Sequence, residues 1–412
     1  MNDIYLRQLQ KNIRHGRLDV TLADGQTHSF GADGPRAGIV LHDDGVLGRI
    51  LRDPEMMLGE TYMDGTWDAV DGNLLALFEV SMLNFPEQRP EQRNRFAYLL
   101  QKLIARGNRI AHSYRNVAHH YDLDEWLFRR FLDEDMQYSC GYFYEPNISL
   151  EEAQRAKCRH VMNKLRLQPG QRVLDIGCGW GGLALYLAEH AGVKVTGLTL
   201  SREQLRVAES RARERGLEGQ VEFRLQDYRE HHGNYDRIAS VGMFEHVGVR
   251  HYRDYFDQVR RLLAHDGIAL LHTIGRSGPP GATNPWIEKY IFPGGYNPAL
   301  SEVSRAIENS GLVSCDIEVL RLHYAKTLAV WHQRFRAHRA EVERRMGERF
   351  CRMWEFYLAS CEAAFRWRDL VVFQVQLTHR LDAAPITRAY LYREGDKTGV
   401  PAPETARAWQ AD

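Results

Sequence analysis

Apolar and polar positions alternate through residues 18–41, with Ala23, Asp24 and Gly25 as a turn, so the stretch predicts a β-hairpin. The apolar spacing then lengthens to a helical period over roughly 44–64 and 72–84. Pro86 and Pro90, among polar residues, end this small module. Over 93–109, Phe96, Leu99, Leu100, Leu103 and Ile104 share one helical face, and Arg93, Arg95, Lys102, Arg106 and Arg109 occupy the rest. Such a helix either lies on anionic lipid or links two domains with its basic side in water, and the pattern fits both. From about Arg155 strands and helices alternate. Strands are expected near 172–176, 193–199, 221–225, 236–242, 267–274 and 313–320, and helices near 181–191, 202–216, 251–265 and 299–310. Helical patterns at 324–345 and 346–365 then precede a strand near 369–379. This alternation is that of a parallel sheet covered by helices on both faces. The expected organisation is a first module over 1–88, a basic helical linker over 89–115, an α/β domain over 116–396 and a loose tail over 397–412.

Residues 173–182 (VLDIGCGWGG) run from an apolar strand ending at Asp175 through a glycine-rich turn into a helical stretch. Gly177, Gly179 and Gly181 let the backbone turn sharply and approach a ligand with no Cβ in the way. The spacing is tighter than that of a dinucleotide site, which points to a ligand without a pyrophosphate. It resembles the turn of class I S-adenosylmethionine methyltransferases. A bare packing turn gives the same glycines, so the motif needs support from elsewhere.

Composition narrows the choice. Lysine plus arginine and aspartate plus glutamate both number 54, so nothing draws the whole molecule to nucleic acid or anionic lipid. The 6 cysteines (Cys140, Cys158, Cys178, Cys315, Cys351, Cys361) have no metal-ligand spacing and read as reduced thiols of a cytosolic protein. No metal site is expected: His246 and His251 follow Glu245 without an HExxH-type spacing. The N-terminus lacks a signal-peptide core, and the apolar run over 74–83 is short and broken by Glu79, so no membrane span is expected.

In such a sheet ligands bind beyond the carboxyl ends of the strands. The second strand ends in Thr199, Leu200, Ser201 and Gln204, neutral groups where an acidic residue often meets a ribose. Ser201 reads equally as a helix N-cap. Tyr228, after the third strand, can lie against an adenine or simply pack. Glu245 follows the fourth strand and His272 ends the fifth; neighbouring strands would set them side by side, as a functional pair or a buried structural one.

Seven stretches occur in order: 136–142 (MQYSCGY), 175–181 (DIGCGWG), 244–248 (FEHVG), 271–275 (LHTIG), 285–293 (PWIEKYIFP), 323–328 (HYAKTL) and 357–365 (YLASCEAAF). With 59–64 (GETYMD) they resemble the cyclopropane-fatty-acyl-phospholipid synthases, of the mycolic acid cyclopropane synthase-like methyltransferases, over residues 14–380. The resemblance implies a class I methyltransferase fold: a Rossmann-like, seven-stranded, mostly parallel sheet behind a small α+β lipid-binding domain. It implies methylene transfer from S-adenosylmethionine across the cis double bond of phospholipid acyl chains. It also implies a homodimer in the cytoplasm, peripherally associated with the inner face of the membrane, with no nucleic-acid partner.

By the same resemblance the cofactor contacts fall on Tyr138, Ser139, Asp175, Gly177, Gly179, Gly181, Thr199, Leu200, Ser201, Gln204, Tyr228 and Arg229. A bicarbonate ion, the base of the reaction, falls on Cys140, Glu245, His272, Ile274 and Tyr324. Backbone and phenol donors would hold the ion while Glu245 accepts its proton. Glu245, His272, Tyr324 and Cys361 take the catalytic positions. Cys361 has no place as a nucleophile, since no acyl or phosphoryl group moves. The chain departs from the family pattern at 123–125 (LDE), before Trp126, and at 296–299 (YNPA); neither departure is expected to touch the bicarbonate set, and both are expected to border the acyl channel. The competing readings are a C-methyltransferase giving a methyl or methylene branch, a small-molecule amine N-methyltransferase, and a non-catalytic lipid carrier.

Overall fold

The computed structural model describes residues 3–85 and 125–392. The predicted basic helix 93–109, Leu123 and the tail 397–412 lie outside the described residues. The first module opens with helix α1 (Asp3–Asn12), which the sequence reading left unassigned. Strands β1 (Arg17–Thr21) and β2 (Thr27–Gly31) form the expected antiparallel hairpin, with Leu18 opposite Phe30. β3 (Arg36–Leu41) lies parallel to β1 on its other side, and β4 (Trp67–Ala69) closes the sheet in the order β2-β1-β3-β4. Leu18, Val20, Ala37, Ile39 and Leu41 are buried, as period-2 alternation requires of a sheet with one covered face.

The apolar pattern over 44–64 is two helices, α2 (Val46–Arg52) and α3 (Pro54–Met63). Pro54 has no N–H to continue a helix but suits a first turn, and Asp53 caps that turn by accepting from the Met56 amide at 3.3 Å. Helix α4 (Leu74–Asn84) is capped in the same way by Asn73. The first module shares one hydrophobic core with the C-terminal helices: Tyr62, Trp67 and Phe78 cluster with Trp354 and Phe356.

Helices α5 (Glu125–Phe131) and α6 (Leu150–Lys164) lead into the second sheet. There β5 (Arg172–Ile176), α7 (Gly182–Ala191), β6 (Lys194–Thr199), α8 (Arg202–Glu214), β7 (Val221–Leu225), β8 (Tyr235–Val241), α9 (Tyr252–Leu262) and β9 (Leu263–Arg276) alternate as predicted. Next come α10 (Pro285–Tyr290), α11 (Leu300–Ser310), β10 (Val313–Val319), α12 (His323–Ala337), α13 (Arg339–Met346), α14 (Glu348–Trp367) and β11 (Leu370–Thr378). The continuous helix expected over 324–345 is thus two, broken at His338.

The strand order is β10-β11-β9-β8-β5-β6-β7. β11 runs against both neighbours, and the pairings from β9 through β8, β5 and β6 to β7 are parallel. β11 follows α14 with two residues between them and inserts between β9 and β10, buried along nearly all its length. The order reverses at β5, between β8 and β6, so the crevice of this doubly wound sheet opens at the carboxyl end of β5.

Two contacts fix the first module beside that crevice. The buried Arg352 guanidinium on α14 donates to the carbonyls of Tyr62 and Trp67 and to Asp68 Oδ1 at 2.8 Å. Gly59 on α3 lies flat against Trp286 on α10: a Cβ there would sit 2.4 Å from the indole Nε1. Gly59→Ala is therefore expected to lower stability by about 2 kcal/mol through overpacking, read as a lower melting temperature. An unchanged melting temperature would mean that α3 and α10 are not held together.

Candidate active site

A cavity of about 140 Å³ opens where the topology demands, at the ends of β5, β6 and β8. The turn after β5 is pinned to β6: the amides of Gly177 and Cys178 both donate to the Leu198 carbonyl, at 3.0 and 2.8 Å. Tyr138, Ser139, Asp175, Gly177, Gly179, Thr199, Leu200, Gln204, Tyr228 and Arg229 all line the cavity. Gly181 and Ser201 do not line it. Gly181, at φ 81°, is where α7 crosses α8 and β7; a Cβ would meet Phe223 at 2.8 Å and Ala208 at 2.9 Å. Ser201 is the N-cap of α8, its Oγ accepting from the Gln204 amide at 3.2 Å.

The polar wall is tightly ordered. Thr199 Oγ1 donates to Gln204 Oε1 at 2.9 Å, which fixes the amide at the end of β6. Arg229 grips the buried Asp227 through Nε at 2.8 Å and Nη2 at 2.7 Å, and its guanidinium lies over the Tyr228 ring at 5.8 Å. Burial pushes Asp175 up to about 7, and its Oδ2 has no hydrogen-bond partner. The far wall comes from Met243, His246, Val247, Pro293 and Gly294. The strand-end rule points to the first three, which follow β8 within a turn. Pro293 and Gly294 enter from the loop between α10 and α11, which no periodic pattern announces.

Of the residues expected around a base, Glu245 meets Ile274, and Cys140 and Glu245 lie near enough to act on Tyr324. β8 and β9 are parallel neighbours with Val241 in register with His272. The Glu245 carboxyl, on a helical turn beyond β8, reaches across to β9, where the Ile274 amide donates to its Oε1 at 2.7 Å. Its Oε2 is buried with no donor in bonding geometry. Burial pushes Glu245 up to about 7, against the pull of the Ile274 hydrogen bond. His272 is buried and held down at about 3, first by desolvation and then by the positive field of Lys157, so it stays neutral. Gln374 on β11 meets its Nδ1 at 3.1 Å. Burial likewise raises the thiol of Cys140 and the phenol of Tyr324, so both keep their protons.

Two details correct the sequence reading. The Ile274 amide, expected as a donor to an anion, is already given to Glu245. The departure at 296–299 does touch this set, since the Tyr296 amide donates to the Glu245 carbonyl at 2.9 Å. Next to the other departure, the partly buried Trp126 ring carries the Arg130 and Arg345 guanidinium groups at 4.3 and 4.6 Å.

The cavity-lining Tyr138 belongs to a packed cluster of aromatic rings. Tyr138 stacks on Trp331 at 5.2 Å, and its hydroxyl meets that of Tyr357 at 2.8 Å. The Tyr324 ring packs against Phe365 at 4.8 Å, and Phe292 stands edge-on to Tyr357 at 5.9 Å. Cys361, on α14 one turn beyond Tyr357, is half-buried and pushed up to about 12 by desolvation. A thiol so held is no nucleophile. Among the described residues no group of His, Cys, Asp or Glu is arranged to hold a metal ion, and no helix is long and apolar enough to cross a membrane.

Residues 108–375 match the family model of mycolic acid cyclopropane synthetase, and residues 5–86 match a domain of unknown function, DUF7884. The chain is 42% identical over 330 residues to the cyclopropane-fatty-acyl-phospholipid synthase of Escherichia coli, covering 79% of this chain and 84% of that one. It is 36% identical over 395 residues to the tuberculostearic acid methyltransferase UfaA1 of Mycobacterium tuberculosis, covering 89% of each. In three dimensions it resembles the mycolic acid cyclopropane synthase CmaA1 solved with SAH and CTAB, with a TM-score of 0.61, 34% identity, and coverage of 64% of this chain and 97% of that one. The glycine turn, the strand order and these matches together make the chain a member of the mycolic acid cyclopropane synthetase family and an S-adenosylmethionine-dependent methyltransferase.

Proposed function

We propose that this enzyme adds a methylene group across the cis double bond of unsaturated acyl chains in membrane phospholipids, forming a cyclopropane ring. The observation that carries the reading is the buried Glu245 carboxyl, its Oε2 without a hydrogen-bond partner, on the turn whose Met243 and His246 line the methyl-donor cavity. A simple methyl transfer to an amine needs no such carboxyl; a reaction that must later remove a carbon-bound proton does.

Bound S-adenosylmethionine supplies an electrophilic methyl group, and bicarbonate, where held, supplies the base. The residues fit both. A bicarbonate hydroxyl would satisfy Glu245 Oε2, and neutral His272 and the protonated Tyr324 phenol are donors suited to an anion. Cys140 would offer backbone, and Ile274 orients the Glu245 carboxylate rather than the ion itself. The chain's own work follows from the geometry. Tyr138 and Gly177 through Trp180, which line the cavity, would hold and orient the donor. As the π electrons take the methyl, positive charge develops on the acyl chain; the rings of Tyr138, Tyr324, Trp331 and Tyr357 exclude water and tolerate that charge. Glu245 then orients the base for proton removal, and the freed electron pair closes the ring.

The lipid substrate places the enzyme at the inner face of the membrane, peripherally and from the cytoplasm. The first module would contact lipid, and a homodimer would double that contact. The likeness to UfaA1 along both modules favours one second reading, a methyl- or methylene-branched product.

Purified enzyme, S-adenosylmethionine and vesicles of mono-unsaturated phospholipid are expected to yield acyl chains heavier by one CH₂. In bicarbonate-depleted buffer the yield should drop and then return on adding bicarbonate. Turnover indifferent to bicarbonate would remove the base assignment, and methylation of a soluble amine in place of lipid would remove the proposal.

A further inference from the structure

A row of polar side chains crosses three strands of the second sheet. Glu318 on β10 stands opposite Gln374 on β11, and Gln374 stands opposite His272 on β9, so the three share one face. At the β10 end the row is met by α6: Glu318 Oε2 accepts from His160 Nε2 at 2.7 Å and from Lys164 Nζ at 2.5 Å. At the β9 end the Gln374 amide nitrogen lies 3.1 Å from His272 Nδ1. Gln374 is fully buried, and its Oε1 has no hydrogen-bond partner. A buried amide with an orphaned oxygen costs stability that an apolar residue on the same strand would not.

What the amide supplies in return is a direction. Its nitrogen can only donate, so the Nδ1 that faces it can only accept. A neutral imidazole carries one ring proton, which must then sit on Nε2. Burial, followed by the positive field of Lys157, Lys164 and His160 on α6, keeps the ring neutral against the opposite pull of Glu318 on β10. Among the described residues His272 Nε2 has no hydrogen-bond partner.

We propose that Gln374 fixes the tautomer of His272, so that the imidazole offers Nε2–H to the anionic base of the reaction. The inference rests on the reading of that base as bicarbonate. In the other tautomer the same nitrogen would turn a lone pair toward the anion, and repulsion would replace a hydrogen bond. Gln374 acts only through His272, so it is a positioning residue and not a catalytic one. It does for the imidazole what the Ile274 amide does for the Glu245 carboxyl: it holds one side of the group and leaves the other to the ion.

The test joins a spectrum to a kinetic split, both on the full chain. Long-range proton–nitrogen NMR of protein labelled with ring-¹⁵N histidine reports which nitrogen is protonated, the His272 signals being those absent from His272→Gln. Wild type should show His272 protonated on Nε2 alone, a result that needs no variant at Gln374 to fold. Gln374→Met, which keeps the length and removes the donor, should show both tautomers. It should raise the apparent KM for bicarbonate by roughly three- to tenfold, the loss of about one hydrogen bond, with the KM for S-adenosylmethionine within about twofold. A wild-type His272 protonated on Nδ1 would overturn this inference and leave the bicarbonate reading standing. So would a Gln374→Met enzyme whose KM values for bicarbonate and S-adenosylmethionine rise together, which would make Gln374 merely structural. Wild-type turnover indifferent to bicarbonate would instead remove the base itself, and the role of Gln374 in holding it.

Discussion

Glu245→Gln is expected to cut turnover by roughly 10²- to 10⁴-fold while S-adenosylhomocysteine binding changes by less than about twofold. The amide keeps the shape and can still accept from Ile274, but it cannot take the proton of a bound base. The same substitution should stabilise the protein in alkaline buffer. The carboxyl is raised from 4.5 in the unfolded chain to about 7 in the folded one, so burying its charge opposes folding. That penalty is absent below the unfolded value, grows as pH rises from there, and is complete above about 7. It amounts to about 3 kcal/mol, so the melting temperature of Glu245→Gln should exceed wild type at pH 8 and match it at pH 4. Wild-type turnover, with bicarbonate ion held constant, should fall as pH drops through about 7, and the variant's residual rate should lack that limb. A variant that loses cofactor binding together with turnover would make Glu245 a structural residue.

The three glycines of the turn are expected to fail in different ways. Gly179 lines the cavity and a Cβ there would meet no protein atom within 4 Å. Gly179→Ala should therefore fold with a loss of about 1 kcal/mol from its left-handed backbone, and lose S-adenosylhomocysteine affinity by about 10²-fold as the methyl fills ligand space. Gly181→Ala drives its methyl into Phe223 and Ala208, so its main loss is stability, of about 3 kcal/mol, read by thermal melting. Gly177→Ala meets Met243 Cβ at 2.6 Å, close to the chain and unable to swing away, so stability and binding should fall together. Equal effects from all three would mean that the turn acts as one flexible unit.

The contrast shows what the sequence could and could not convey. Strand–helix alternation after Arg155 revealed the sheet because the central parallel strands are buried on both faces and the helices on one, and those periods survive in the residues. The breaks at Asp53 and His338 fall inside continuous apolar patterns, and only the first carries a signal, the Asp53 cap followed by Pro54. The adjacency of β8 and β9 was legible, and it brings the Glu245 carboxyl across to the Ile274 amide. The division of labour among Gly177, Gly179 and Gly181 was not, since it depends on Met243, Phe223 and Ala208 arriving from distant parts of the chain. Ser201 was legible as a cap, and the structure gives it that role. Lys157 carried no signal at all, because a lysine in an amphipathic helix reads as solvated until the fold buries it.

Ring closure is the step that separates this reading from a methyl branch, and the two products have the same mass. The decisive measurement is proton NMR of the acyl chains recovered from mono-unsaturated phospholipid vesicles after incubation with enzyme, S-adenosylmethionine and bicarbonate. The account predicts the strongly shielded methylene protons of a cyclopropane, with loss of the vinyl signal in proportion. A new branch-methyl doublet or an exocyclic methylene signal without shielded ring protons would contradict it.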